Sequence, residues 1–429
     1  MGIAALTWAE HPDWTGREVK NALLNATQPL DDLAGLSLSS GLIKADKALQ
    51  HSTAAPVVWK LSDNGFRPGE TITISGDKFG TSGQVTLLQG NQTSQLKVLD
   101  WQEKQISVEL PKETPYGQAN LVVSTDTLHS ANVCLPVTDN TENKGSLVTA
   151  RSYPAAALID NDVWVFGGNT ASSTTSSVEK YNLTTHVAES KSEWAMPIAV
   201  EAPAYGVIND KVYLAGGFAY NVDTYNTLQI FDTKTGQWST GAAMPEPVAY
   251  AASVVYQNKL YVLGGLNSKY SYDPTQHDDI SDKVYAYDPA ANSWTEVASL
   301  PVPLKGSAAT VSPDSKGIIL AGGQTIGEQV AVKTVRQLDV STGQWQDLPD
   351  MLEARSNFSL LTHNDAIYAL FGTNGTNFSD GGYRDASASG EILIGDSWTL
   401  ATQTDQPLFG TAAIKLGEQA FVLGGGNSQ

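Results

Sequence analysis

The sequence predicts a mainly β protein in which a β-sandwich and a propeller of repeated sheets follow a short helical segment. Three observations lead to this prediction. Residues 145–429 repeat one pattern with a period near 50 residues, residues 55–137 alternate polar and apolar side chains between turn signals, and residues 1–50 space their apolar side chains as helices do. Charged residues make up only 17% of the chain, and the surplus of Gly, Ser, Thr and Asn is typical of turn-rich β proteins.

Composition excludes several classes of function. The net charge of −19 argues against nucleic acid or an anionic membrane as a partner, because both require a basic surface. The single cysteine, Cys134, rules out an intrachain disulfide. No apolar run approaches the ~18 residues that a membrane-spanning helix needs, so no membrane span is predicted.

The first segment reads as helices. Residues 2–9 are apolar and lack helix breakers, which predicts a buried helix. Asp13 or Thr15 can cap a second helix, and Glu18 lies three residues beyond Thr15, the spacing of a capping box. The apolar residues of this helix recur on one face through Ala26. "SGLIKADKAL" predicts a strand-like turn into a third helix.

The residue order of this segment resembles a known family. "GIAALTWAEHPDWTGREVKNALLNAT", followed by "GLSLSSGLIKADKAL", is similar to the last part of a subtilisin-like serine protease domain over residues 1–50. The Gly-Thr-Ser-Met-Ala, His-Gly and Asp-Ser/Thr-Gly motifs that carry this family's catalytic triad are absent, and Gly80-Thr81-Ser82-Gly83 reads as a β-turn. The resemblance therefore implies the C-terminal remnant of a protease domain, without catalytic residues, in a protein that is secreted or at the bacterial cell surface. The missing N-terminal protease domain is then an expected partner.

Residues 55–137 predict a β-sandwich. Thr71, Thr73 and Ser75 alternate with Ile72 and Ile74, the period-two pattern of a half-buried strand. Further alternating runs such as "SQLKVLDW" and "KQISVELP" bring the predicted count to about seven short strands. The pattern "PGETITISGDKFG…VTLL…ISVELP" resembles the IPT/TIG immunoglobulin-like family, which implies a spacer or adhesion unit.

The repeat in residues 145–429 has a constant internal order. A strand of small residues precedes a strand that ends in Gly-Gly, with pairs that begin at Gly167, Gly216, Gly264, Gly322 and Gly424 and a degenerate copy at Gly372. A third strand follows a variable loop, and a tryptophan comes seven residues after its aromatic or aliphatic residue, as in Phe231 to Trp238, Tyr287 to Trp294 and Leu338 to Trp345. Glycine permits close backbone approach and tryptophan fills the space between sheets, so these positions are predicted to be scaffold.

This combination of Gly-Gly, Tyr-Asp and Trp resembles the kelch family. The resemblance implies a β-propeller of about six blades, of which five read as complete, at 153–200, 203–248, 250–303, 306–352 and 356–405. The sixth starts at 408 and is incomplete, and residues 145–150 are expected to supply part of a closing blade. Arg151 and Arg355 precede Ser at equivalent points of two repeats, which indicates a structural role.

Two long loops hold the candidate site residues. In the third repeat, Asp273, Asp278, Asp279 and Asp282 supply hard oxygen donors suited to Ca²⁺, although their spacing does not match the twelve-residue calcium loop. In the fifth repeat, Tyr383 and Arg384 are candidate ligand contacts, because long polar loops on a rigid scaffold often bind. No other cofactor is predicted.

Three functions follow from these resemblances. The first is the accessory region of a secreted subtilisin-like serine endopeptidase, which binds a protein or glycan through a propeller face. The alternatives are a sugar epimerase or mutarotase of the kelch type and a surface adhesin. The copper-oxidase chemistry of some kelch propellers is excluded, because it needs clustered histidines and a cysteine-linked tyrosine, whereas Cys134 lies outside the propeller and the histidines are scattered.

Overall fold

The computed structural model describes the two main β regions in separate compact units. The residues described are 2–29, 41–44, 48, 55–62, 66–89, 92–112, 114, 117–125, 128–137, 145–219, 224–267, 279–325, 331–363, 365–374, 386–403, 407–416 and 419–426. One unit comprises residues 1–141 with 399–403, and the other comprises the rest of the chain. Within the described ranges, no helix has the length and apolar character needed to cross a membrane.

The N-terminal segment forms two of the predicted helices. Helix α1 spans Gly2–Glu10 and helix α2 spans Gly16–Asn25. The predicted capping box is confirmed: the Thr15 hydroxyl accepts from the Glu18 amide, and the Glu18 carboxylate accepts from the Thr15 amide at 2.7 Å. These hydrogen bonds lower the pKa of Glu18. Most of the predicted third helix lies outside the described residues; Ala48, which is described, is helical. The short strands β1 (Thr27–Pro29) and β2 (Gly41–Ile43) precede it and pair antiparallel.

Helix α2 is hydrogen-bonded to the sandwich of the same unit. The Asn25 amide group donates to the Pro56 carbonyl at 3.1 Å, and its oxygen accepts from the Ala131 amide at 3.0 Å. Asn21 accepts from the indole nitrogen of Trp59 at 3.1 Å. Two asparagines one helical turn apart thus fix the helix to both ends of the sandwich sequence.

Substituting Asn25 by alanine is expected to loosen α2 locally. The Pro56 carbonyl and the Ala131 amide lose their partner, which costs about 1–3 kcal/mol for each group left unsatisfied. Hydrogen exchange of the α2 amides in the full chain should therefore accelerate. Lys20→Ala, on an exposed position of the same helix, should leave the exchange unchanged. Equal exchange in the two variants would contradict this role of Asn25.

The sandwich contains nine strands among its described residues, in a four-stranded and a five-stranded sheet. In chain order they are β3 (Val57–Leu61), β4 (Thr71–Asp77), β5 (Gln84–Gln89), β6 (Gln92–Gln95), β7 (Lys97–Trp101), β8 (Gln105–Glu109), β9 (Gly117–Thr125), β10 (Leu128–His129) and β11 (Val133–Val137). One sheet has the order β3-β4-β8-β7, and the other has the order β10-β9-β5-β6 with β11 also paired to β9. Alternate residues such as Ile72, Ile74 and Val108 point into one core between the sheets.

The count of seven sandwich strands was two too low, because one predicted strand is two and because the two-residue strand β10 was not predicted. The run "SQLKVLDW" is divided at Leu96, so that β6 pairs in one sheet and β7 in the other. Leu96 is buried, and its amide donates to the Val85 carbonyl at 2.9 Å. Leu96 is buried between β6, which is exposed throughout, and β7, which is exposed over most of its length, and no turn residue marks the crossing, so the run reads as one strand.

The repeats form five four-stranded sheets and one two-stranded sheet, each antiparallel. The first sheet contains β12 (Ala155–Ile159), β13 (Asp162–Phe166), β14 (Val178–Asn182) and β15 (Val187–Ser190), with a 3₁₀ turn at Ser192–Trp194 after it. The second contains β16 (Ala204–Ile208), β17 (Lys211–Ala215), β18 (Leu228–Asp232) and β19 (Gln237–Gly241). The third contains β20 (Ala252–Tyr256), β21 (Lys259–Leu263), β22 (Lys283–Asp288) and β23 (Ser293–Ser299). The fourth contains β24 (Ala308–Val311), β25 (Ile318–Ala321), β26 (Val335–Asp339) and β27 (Gln344–Leu348). The fifth contains β28 (Ser359–His363), β29 (Ala366–Leu370), β30 (Ser389–Ile394) and β31 (Ser397–Gln403), and the sixth contains β32 (Phe409–Leu416) and β33 (Gln419–Gly426).

The six sheets close into a ring. The first strand of each sheet contacts the first strand of the next, from β12 through β16, β20, β24 and β28 to β32, and β32 contacts β12. The second strands are buried on both faces because neighbouring sheets cover them, which explains apolar runs such as "KLYVL". Residues 145–150 do not form the expected strand; instead Leu147 packs against the apolar cluster between the sixth and first sheets.

The repeated tryptophans join neighbouring blades. Each outer-strand indole packs between sheets and also donates to a backbone carbonyl of the preceding blade: Trp238 to Trp194 at 2.9 Å, Trp294 to Ala242, Trp345 to Ser299 and Trp398 to Pro349 at 2.8 Å each. A buried indole N–H needs a partner, and the recurring carbonyl supplies it. The predicted scaffold role of the tryptophans therefore includes a polar contact that their apolar character did not indicate.

Candidate functional site

The strand order decides which connections share a face of the propeller. Because the strands of a sheet are antiparallel, the connections from second to third strands emerge at the same face as those from each fourth strand to the next sheet. We call this the loop face. The hairpins between first and second strands and between third and fourth strands emerge at the opposite face, the turn face. The longest connections, between β21 and β22 and between β29 and β30, are on the loop face.

The predicted site residues belong to these two connections. Asp273, Asp278, Tyr383 and Arg384 lie outside the described residues. The backbone carbonyl of Asp279 accepts from the Asn267 amide at 2.8 Å, and the Asp282 carboxylate lies 3.8 Å from the Lys283 ammonium. Over the part of the chain that the structure describes, no three His, Cys, Asp or Glu side chains come together as metal ligands. The calcium site and the Tyr383 and Arg384 contacts stay predictions.

An outer ring of backbone hydrogen bonds joins the blades at the loop face. In every blade an amide just past the second strand donates to a carbonyl in the link that leads into the next blade. The six bonds are Gly168 to Val200, Gly217 to Val248, Gly265 to Leu304, Gly323 to Arg355, Gly372 to Leu408 and Gly425 to Arg151, with lengths of 2.7–2.9 Å. The last bond returns to the first blade, so the ring is closed.

This outer ring explains the first glycine of each pair. A Cβ on Gly216 would lie closer than 3.0 Å to the Val248 carbonyl oxygen, the same atom that accepts from Gly217. Gly264 meets the Leu304 carbonyl in the same way. Both glycines also have positive φ, of 67° and 61°. In the degenerate fifth repeat Phe371 holds this position with a φ of 62°, a left-handed conformation that is costly for a side chain with a Cβ.

An inner ring of backbone hydrogen bonds lies one step closer to the axis. The residue two positions after each link carbonyl has a left-handed φ between 48° and 65°. Its amide donates to the carbonyl of the equivalent residue in the preceding blade. The bonds run from Tyr153 to Gly410, Ala202 to Tyr153, Tyr250 to Ala202, Gly306 to Tyr250, Asn357 to Gly306 and Gly410 to Asn357, with lengths of 2.7–3.0 Å. The left-handed turn directs each amide along the ring. The backbone is therefore fixed around the centre of the loop face, which we call the mouth of the propeller.

The side chains on the inner ring are unevenly distributed. On one half, Tyr153 and Tyr250 meet edge to face with their ring centroids 5.2 Å apart, and the Tyr250 hydroxyl donates to the Glu201 carboxylate at 3.1 Å. We call Tyr153, Glu201 and Tyr250 the mouth cluster. On the other half, the ring residues are Gly306, Asn357 and Gly410, none of which is aromatic.

Glu201 is the buried charged group of the mouth cluster. Only 3% of its surface is exposed. Burial raises the pKa of the Glu201 carboxyl, whereas the Tyr250 hydroxyl, which donates to Oε1, and the polar side chains of Asn169 and Thr174 oppose the rise. Its second oxygen, Oε2, is buried and makes no hydrogen bond within the described part of the chain. Such a group is a candidate functional residue, because a buried carboxylate oxygen without a donor is costly to maintain.

Arg151 and Arg355 form buried ion pairs inside their blades. Arg151 pairs with Glu179, and Arg355 pairs with Glu391 at 2.9 Å. Each arginine also donates to carbonyls at the ends of the second and third strands, as Arg355 does to Phe371 at 2.7 Å. Each glutamate accepts from two backbone amides of the link before its blade. This supports the predicted structural role of the two arginines.

Sequence reasoning missed Glu201, although a signal for it existed. Glu201 directly precedes Ala202, the inner-ring residue of its blade. One blade of six has a glutamate at this position; the residues there in the other five are Ser152, Ala249, Lys305, Ser356 and Phe409. Aligning the links between blades, rather than the Gly-Gly strands, reveals the exception. The candidate residues were predicted in the long loops, whereas the mouth is formed by the shorter links between blades.

Comparison with known families agrees with this architecture. Residues 56–135 match the IPT/TIG domain, residues 150–187 match the kelch motif, and residues 189–372 match the kelch-repeats domain of the KLHDC2/KLHL20/DRC7 type. These matches begin at residue 56, so the subtilisin-like interpretation of residues 1–50 stays a prediction.

Individual proteins are similar over the repeats. The chain is 27% identical to beta-scruin of Limulus polyphemus over 52% of its own length and 25% of that protein, and 29% identical to Kelch-like protein terF of Aspergillus terreus over 52% and 49%. It is 36% identical to Kelch-like protein 38 of Danio rerio over 36% of the chain and 25% of that protein. The chain thus spans a quarter to a half of these relatives.

A solved structure shares the fold. The structure of YjhT aligns with a TM-score of 0.56 and 15% identity, over 66% of this chain and 92% of YjhT. At this identity the likeness shows the fold alone. Together with the closed ring of sheets and the family matches, it identifies what the chain carries: an IPT/TIG domain followed by the repeats of a kelch propeller.

Proposed function

We propose that this chain is a binding module that holds a protein partner on the loop face of its kelch propeller. The observation that carries the proposal is the construction of the loop face. Two closed rings of backbone hydrogen bonds fix its centre, while the connections around that centre differ in length and sequence from blade to blade. A rigid frame with variable loops is how many folds present binding residues.

The charge of the chain favours a partner with basic groups. The net charge is −19, and the mouth cluster adds a buried carboxylate at the centre of the loop face. Complementary potentials accelerate association and exclude partners of like charge. The proposal therefore expects binding to weaken as the salt concentration rises.

The narrower proposal concerns the protein around this module. The resemblance of residues 1–50 to the end of a subtilisin-like domain supports an accessory region of a secreted serine endopeptidase, with an extracellular or bacterial-surface location. Reading the coding sequence upstream of Met1 tests this. An in-frame Gly-Thr-Ser-Met-Ala motif, preceded by His-Gly and Asp-Ser/Thr-Gly motifs, supports it, and a coding sequence without them contradicts it.

Matched charge reversals on the two faces test the binding proposal. Lys305 lies in a link of the loop face, and Lys316 lies in a hairpin of the turn face. Peptides selected from a displayed random library against the wild-type chain should bind Lys305→Glu with an affinity altered about tenfold, because a charge beside the mouth is reversed. They should bind Lys316→Glu as they bind the wild type. Peptides whose affinity responds only to Lys316→Glu would contradict the loop face as the binding surface.

A further inference from the structure

The backbone pairing of Glu201 does not depend on its carboxylate. Its backbone pairs with Phe218 through two hydrogen bonds, of 2.8 and 2.9 Å, but the same backbone pairing occurs at the equivalent positions Ser152, Ala249, Lys305 and Ser356. The carboxylate is therefore dispensable for the ring. Burying it still costs free energy, as the raised pKa of Glu201 reflects. A buried carboxylate with one oxygen that accepts no hydrogen bond from the described residues suggests a ligand that compensates for the cost.

The Oε2 atom of the Glu201 carboxylate determines which chemical group this site can bind. Oε1 already accepts from the Tyr250 hydroxyl, whereas Oε2 is buried and has no donor among the residues that the structure describes. A ligand with a hydrogen-bond donor and a positive charge would satisfy Oε2 and stabilise the ionised form. A guanidinium binds best with two donors to two carboxylate oxygens, but only one is available here. An ammonium group, which is compact and donates to a single point, fits better.

The aromatic rings of the mouth cluster favour the same ligand. Tyr153 and Tyr250 are partly exposed at the loop face and lie edge to face beside the carboxylate. The faces of aromatic rings attract cations, and the attraction grows where water is excluded. Phe409, whose ring centroid lies 6.1 Å from that of Tyr153, extends this apolar rim. Rings of this kind also accept the methylene groups of a lysine side chain.

We propose that the mouth cluster of Tyr153, Glu201 and Tyr250 is a binding site for a primary ammonium group, carried by a lysine side chain of the protein partner. This inference rests on the proposed function, since it names the group of the partner that enters the loop face. The carboxylate of Glu201 pairs with the ammonium through Oε2, and the exposed parts of the two tyrosine rings contact the lysine methylene groups.

The site should respond to pH through Glu201. Tyr250, which donates to the carboxylate, and Tyr153, packed against Tyr250, are the titratable side chains of the cluster, and both stay protonated near neutral pH. Since the pKa of Glu201 is raised in the folded chain, ionisation there opposes folding. The stability that the protonated form contributes is present at low pH and is lost as the pH rises through the raised pKa. Binding of the ammonium should strengthen over the same rise, because it requires the ionised carboxylate.

Calorimetric titration of the full chain with Nα-acetyl-lysine methylamide tests the site. The uncharged norleucine analogue and methylammonium chloride serve as comparison ligands. The lysine derivative should bind, and Glu201→Gln should weaken this binding about tenfold or more, since a charge-assisted hydrogen bond is lost. Glu246→Gln is the matched control. Glu246 lies in the next link of the loop face, but both of its carboxylate oxygens already have partners, in Ser281 and Asn267. Its substitution should leave the affinity unchanged.

Each outcome of this titration bears on the proposal. Equal binding by the norleucine analogue, or unchanged binding by Glu201→Gln, would overturn the ammonium site. Methylammonium as tight as the lysine derivative would overturn the assignment to a lysine side chain in favour of a small free amine. Thermal unfolding checks that Glu201→Gln folds. The wild type should become less stable as the pH rises through the pKa of Glu201, whereas the stability of Glu201→Gln should not fall in this way. If library-selected peptides bind the loop face but tolerate lysine-to-norleucine substitution, the proposed function stands and this inference fails.

Discussion

Replacing Arg355 by methionine is expected to lower the free energy of unfolding by about 3–5 kcal/mol. The arginine side chain is fully buried, and its removal leaves Glu391, itself 1% exposed, as an uncompensated charge inside the fifth blade. The Phe371 carbonyl loses the Arg355 donor at the same time, and the Ser389 carbonyl keeps only the hydrogen bond from the Phe371 amide. Equilibrium urea denaturation of the full chain measures the loss.

An exposed ion pair in the preceding blade provides the control. Arg336 pairs with Asp347 at 2.8 Å, but 82% of the aspartate side chain is exposed. Arg336→Met should cost no more than about 1 kcal/mol, because solvent screens such pairs. If Arg355→Met lowered the free energy of unfolding no more than Arg336→Met, the buried pair would not hold the fifth blade together. The structural role predicted for Arg355 from its place before Ser in the repeat would then be wrong.

Replacing Gly216 by alanine is expected to disrupt the junction between the second and third blades. The left-handed φ of 67° costs an L-residue about 1–2 kcal/mol. The new Cβ is also forced against the Val248 carbonyl, which adds about 1–3 kcal/mol of overpacking and weakens the hydrogen bond from Gly217. The midpoint of thermal unfolding should fall accordingly.

Gly395 separates the two causes. Its φ of 60° is almost the same, but a Cβ there meets nothing within 4 Å. Gly395→Ala should therefore show the conformational cost alone, and the difference between the two variants measures the close approach of the blades. Indistinguishable midpoints would mean that the first glycine of each pair serves only its backbone conformation and that neighbouring blades can move apart without cost.

The sequence was a good guide wherever one local pattern determines the structure. The capping box of Thr15 and Glu18 forms as predicted, because its partners lie within one helical turn. The Gly-Gly strands and tryptophans recur with the kelch spacing, and the sheets form at these repeats. The alternation around Ile72 and Ile74 gave the sandwich, since strand periodicity directly reflects burial on one face.

The sequence was a poor guide to contacts between distant residues. The two rings of hydrogen bonds join backbone atoms from neighbouring repeats, and backbone atoms carry no identity that a sequence pattern could show. The run through Leu96 reads as one strand although the chain changes sheets there. Glu201 was overlooked because its burial depends on Tyr250, which belongs to the next repeat. These features needed the closed ring before they could be recognised.

Hydrogen exchange of the chain with and without a bound library-selected peptide tests the central claim most directly. If the loop face binds the partner, protection should increase in the links around Ala202, Tyr250 and Asn357, whose amides form the inner ring. The turn-face hairpins, such as the one between β20 and β21, should exchange as in the free chain. Protection confined to those hairpins, or to the strands of the sandwich, would contradict the claim that the loop face of the kelch propeller is the binding surface.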